Sequence, residues 1–118
     1  MVQFIADQTF WELFPDAKLG VVLLKDYQNQ SESPETVKQL LADSHVAAKA
    51  YLTADNFSDN DVVQVYRRAY QRFKTKKGAR SSIEALLKRV ANGRTIPSIN
   101  PLVDIYNAAS LRFGLPVG

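Results

Sequence analysis

Lys18-Leu-Gly-Val-Val-Leu-Leu-Lys-Asp-Tyr27 decides the fold class of this 118-residue chain. Its apolar run is continuous rather than alternating, the pattern of a strand covered on both faces. Helical patterns dominate the remainder, so the expected class is α+β, with several helices packed on a small mixed sheet built on Leu19 to Tyr27. Upstream, Asp7-Gln-Thr-Phe-Trp-Glu-Leu-Phe-Pro15 reads as a short helix with Phe10, Trp11 and Phe14 on one side. Pro15 ends it, and Trp11 is expected to anchor the core. Gln28 to Ser33 is a polar loop too short to separate domains, so the chain is one domain or a piece of one.

Four further segments carry helix signals. Ser33-Pro34-Glu35 offers a cap, a proline at the first position and an early acid, ahead of an apolar stripe from Val37 through Leu40, Leu41 and Ala48 to Leu52. His45, the only histidine, falls in this helix without a second donor nearby and reads as a surface or hydrogen-bonded residue. Asp59-Asn-Asp61 starts the next helix, with Val62, Val65, Tyr66, Ala69, Tyr70 and Phe73 inward and Arg67, Arg68 and Arg72 on the other side. Ser81 or Ser82 caps a helix that buries Ile83, Leu86, Leu87 and Val90, and Gly93 ends it. Asn100-Pro101 opens the last one, with Leu102, Ile105, Tyr106, Ala109 and Phe113 as its expected buried face. Gly114 supplies a left-handed stop and Pro116 prevents continuation.

Composition narrows the partners. There is no run of about 18 apolar residues and no basic leader ahead of an apolar core, so neither a membrane span nor a secretory signal is expected. The chain has no cysteine, which excludes a disulfide framework and a Cys-ligated metal, and a cytoplasmic location is the default. Neither a metal nor a cofactor is expected. The net charge of +3 conceals a segregated field. From Tyr66 to Arg94 there are ten basic residues and one acid, Glu84, a net of +9; the remainder holds five basic and eleven acidic residues, a net of −6. Such a field suits a polyanion. The candidate RNA contacts are Arg67, Arg68, Arg72, Lys74, Lys76, Lys77, Arg80 and Arg94. The Lys74–Arg80 loop has one glycine but not the pattern of a phosphate-cradling P-loop. In the last helix, Asp104 and Asn107 share a flank beside the apolar stripe, where they serve either as local hydrogen-bonding groups or, with Tyr106, as the wall of a polar pocket.

These residues also carry a resemblance. Ile99-Asn-Pro-Leu-Val-Asp-Ile105, followed by Asn107 and then by Phe113-Gly-Leu-Pro116, is similar to the "I-N-N-V-V-D-V", "V-T-N-Y" and "L-G-Q-P" segments of one family. That family is the tRNA-binding and editing domain of the phenylalanyl-tRNA synthetase beta subunit, the B-three/B-four domain. Ser81 to Val90 resembles the helix that precedes this signature. The clear similarity runs from about Arg80 to Gly118, and the part before it resembles stand-alone bacterial relatives. The resemblance implies an RNA-binding, tRNA-directed domain that acts on aminoacyl-tRNA in trans, with residues 1–118 as its N-terminal part. A degenerate module that binds a small molecule or amino acid without hydrolysis is the alternative. Two departures bear on chemistry: Tyr106 stands where the family has a threonine of the editing pocket, and Gly118 where it has a histidine. Missing strands beyond Gly118 would leave sheet edges open to self-association.

Overall fold

The computed structural model describes residues 2–118, and among them the chain is all helical: half of the residues are in helices and none in a strand. The helices are α1 (Gln8–Leu13), α2 (Glu35–Ala48), α3 (Asp61–Tyr70), α4 (Ser82–Ala91) and α5 (Pro101–Phe113). Short 3-10 turns cover Lys49–Tyr51 and Phe57–Asp59.

The expected α+β class with a mixed sheet is therefore wrong. Residues 18–27 run without regular structure and expose their apolar side chains, Val22 at 86%. A strand is stable only when its amides and carbonyls find a ladder partner, and no second strand exists among the described residues. Only Val21 and Val22 in the run are β-branched, and Asp26, at φ 54°, turns the backbone out of extended geometry. The radius of gyration, 15.8 Å, exceeds the roughly 13.5 Å of a compact chain of this length because this arm lies outside the core.

The core is built from α2, α4, α5 and the link between the last two: Leu41, Ala48, Ile83, Leu87, Val90, Ile96, Ala108 and Leu111 are all buried. The most extensive pairing is α2 against α5. Small buried residues on both, Ser44 and Ala48 facing the bundle from α2 and Ala108 and Ser110 from α5, permit a close approach. The buried residues of α5 are Pro101, Asp104, Ala108, Ser110 and Leu111, a face displaced from the expected stripe. Leu102, Ile105 and Phe113 are exposed instead. Trp11 is likewise 40% exposed and stacks edge-on with Phe10, 5.1 Å between centroids, rather than anchoring the core.

The punctuation of α4 and α5 follows their sequences. Ser81 Oγ accepts from the Glu84 amide, and Asn100 Oδ1 accepts from the Val103 amide at 2.9 Å. Gly114 closes α5 at φ 65°, its amide donating to the Ser110 carbonyl. A Cβ on Gly114 would meet the Tyr51 ring at 3.0 Å, and that ring is held by its hydroxyl, which donates to the Arg112 carbonyl at 2.7 Å. Gly114→Ala is therefore expected to destabilise by about 2 kcal/mol, from left-handed strain plus displacement of Tyr51. A urea titration reads this directly, and an unchanged midpoint would show that the ring moves freely.

Candidate nucleic-acid interface

The basic window folds as the end of α3, the loop from 71 to 81, α4 and the link after it, and the end of α3, the loop and the start of α4 come together. Between them lies an open cleft of about 420 Å³. Tyr66, Tyr70 and Phe73 supply an aromatic wall; Arg67, Lys76, Lys77 and Arg80 supply cations. Glu84 is the one acid among the lining residues.

Glu84 organises this cleft from beneath. Its side chain, 5% exposed, receives Arg67 as a fork: Nε reaches the two carboxylate oxygens at 3.1 and 3.3 Å, and Nη2 reaches Oε1 at 2.5 Å. Arg80 approaches the same oxygen at 3.4 Å, one helical turn before it in the chain. Hydrogen bonding to Glu84 pushes the Arg67 guanidinium pKa up, against the opposing effect of burial. Arg67 thus serves first as an internal counter-ion. Glu84 is not among the sequence-based candidates for the site, yet the sequence carries its signal: one acid amid ten basic residues, three positions after a capping serine.

The other candidate RNA contacts divide by place. Lys76 and Lys77 line the cleft, whereas Arg68, Arg72, Lys74 and Arg94 do not. All four of the latter are exposed. Arg72 lays its guanidinium 5.1 Å from the Phe14 ring centre, and Phe14 meets Phe73 edge-on at 6.3 Å. This aromatic–cation packing ties α1 to the end of α3. Arg94 follows Gly93, where its amide donates to the Arg89 carbonyl at 2.9 Å. Burial raises the pKa of Tyr66 above its ordinary value.

Asp104, Tyr106 and Asn107 lie apart from the cleft, on α5. Asp104 is fully buried and its carboxylate takes three donors. Ser33 Oγ and Ser98 Oγ donate to Oδ2 at 2.5 and 2.6 Å, and the Ile99 amide donates to Oδ1 at 2.8 Å. Burial acts to raise its pKa, but these donors and the charge of Lys38 outweigh it and hold the group below the ordinary carboxylate value. Ser33, expected as the cap of α2, instead joins the start of that helix to α5, and Pro34 occupies the cap position. Tyr106 and Asn107 are half-buried beside this knot. A second groove, also about 420 Å³ and mostly apolar, runs between α2 and residues 95–98, with Lys38 and His45 on its rim.

No helix among the described residues is long and apolar enough to cross a membrane. No curated protein and no solved structure matches this chain. Residues 65–118 hold most of α3, all of α4 and α5, and every residue lining the cationic cleft; this segment matches the family model of the B3/4 domain, the domain found in the phenylalanyl-tRNA synthetase beta subunit.

Proposed function

We propose that this chain is an RNA-binding module, directed at tRNA, that presents the end of α3 and the 71–80 loop to the phosphate backbone. The observation that carries the proposal is the coincidence of the B3/4 match with the cationic cleft and the exposed cations around it. Phosphate contacts of this kind supply affinity and register but little sequence discrimination. Hydrolysis is not part of the proposal. Asp104 has its carboxylate committed to three donors, and Tyr106 and Gly118 replace the groups through which the resemblance implied editing.

Labelled tRNA is expected to bind at low salt and to lose affinity as salt rises, with a log–log slope of about 0.7–0.9 per phosphate contacted. Changing Arg72, Lys76, Lys77 and Arg80 together to alanine is expected to weaken binding about tenfold or more and to flatten that slope. An absence of binding at low salt, or binding indifferent to the four changes, would overturn the proposal.

A further inference from the structure

The cleft combines two chemistries that a purely electrostatic phosphate surface does not need. One wall is aromatic, with Tyr70 and Phe73 rings 5.5 Å apart and tilted by 57°, and Phe73 42% exposed. The other is cationic, from Lys76 and Lys77 to Arg80. Between them lie Gln71 and Thr75, an amide and a hydroxyl able both to donate and to accept. The volume, about 420 Å³, falls within the range of small-ligand sites, roughly 300–1,000 Å³.

We propose that this cleft takes one unstacked nucleotide of the bound RNA, its base against Tyr70 and Phe73 and its phosphate on Lys76, Lys77 and Arg80. The inference rests on the RNA-binding reading and goes beyond it by assigning a base-holding site. A flat base suits the exposed ring of Phe73, a polar base edge suits Gln71 and Thr75, and the phosphate suits the lysines. Arg67 does not compete for the phosphate, because Glu84 already holds its fork. Arg80 also meets Glu84, at 3.4 Å and with its side chain half exposed, so Lys76 and Lys77 are the lining cations with no acid partner among the described residues and take the larger share of the phosphate. A phosphotyrosine side chain shares the ring and the phosphate but has no polar ring edge for Gln71 and Thr75, which favours the nucleotide.

The test uses the whole chain with three small probes (adenosine monophosphate, inorganic phosphate and phosphotyrosine) and with tRNA. Adenosine monophosphate is expected to shift the amide resonances of Tyr70, Phe73 and Lys76 to Gly78, and to do so more strongly than inorganic phosphate. Phe73→Ala and Tyr70→Leu are expected to weaken tRNA binding about tenfold while leaving its salt slope unchanged, because stacking releases no counter-ions. Lys76→Gln with Lys77→Gln is expected to lower the slope. Thermal melts accompany each variant, and Phe73→Ala, which loses the edge contact with Phe14 but no buried core contact, reads the site if Tyr70→Leu does not fold. If tRNA binds and neither aromatic change matters, the base site is refuted and the RNA reading stands. If tRNA does not bind at low salt, both fall. Stronger shifts with phosphotyrosine than with adenosine monophosphate would also overturn the assignment and point to a peptide.

Discussion

Asp104→Ala is expected to lower the folding free energy by about 3–5 kcal/mol, a large part of the roughly 5–15 kcal/mol that holds a typical domain. The substitution removes one carboxylate and strands three donors: the hydroxyls of Ser33 and Ser98 and the amide of Ile99. An unmade buried hydrogen bond costs about 1–3 kcal/mol. The hydroxyls can turn elsewhere, whereas the amide cannot, which keeps the total below the simple sum. Asp104→Asn is expected to cost less, about 1–2 kcal/mol, because its amide oxygen can keep Ile99 while the serine hydroxyls reverse to accept. Urea titrations of the two variants give the comparison, and an unchanged midpoint for Asp104→Ala would refute the knot.

The same group sets an acid limit. Its folded-state pKa lies below the ordinary value of 3.8, so the ionised form is favoured by folding. Its contribution is fully present above that ordinary value and is lost as pH falls through the depressed one. Unfolding midpoints of the wild type should therefore fall on acidification below about pH 4 more steeply than those of Asp104→Asn.

Arg67→Ala is the second large effect, an expected loss of about 2–4 kcal/mol. Glu84 would remain buried with its fork gone and only Arg80, at 3.4 Å, to answer its charge. Because Arg80 can move closer, the cost should be smaller than for an isolated buried carboxylate. The Arg67→Ala, Arg80→Ala double variant should then exceed the sum of the single changes by about 1 kcal/mol, a coupling that a double-mutant cycle measures. Strict additivity would mean that the two guanidiniums act independently. Arg67→Lys is expected to fall between, since one ammonium cannot reproduce two parallel N–H donors.

Local chemistry made much of the helical architecture legible. Asn100, Pro101 and Gly114 act through their own bonds and torsions, and the structure places each in its expected role. Ser81 caps α4 for the same reason. Errors arose where a residue's state depends on a distant partner. Leu19 to Leu24 are apolar enough for a buried strand, but a strand requires a second segment, and apolarity does not specify one. On α5 the stripe of Leu102, Ile105 and Phe113 is more apolar than the face that is buried, which carries Asp104 and Ser110, so hydrophobic periodicity points to the wrong face. Ala108 and Ser110 decided it, because small side chains let α2 come close. Of the candidate site, the cations were visible as composition, while their division between free and internally paired was not. That division depends on Glu84 folding beneath Arg67, across a separation of 17 residues.

The α2–α5 pairing crosses the boundary of the family match. The segment that matches the B3/4 domain begins at residue 65, after α2 has ended at Ala48. Yet α5, which carries the most specific part of that signature, buries its inner face chiefly on α2 and fastens Asp104 to Ser33, 71 residues away. On a ribosome, α5 therefore acquires its packing partner from chain made much earlier, and α2 must wait with its inner face uncovered until the last helix emerges. Joining the two costs the chain entropy of closing that long loop, a cost that forming each helix alone does not carry.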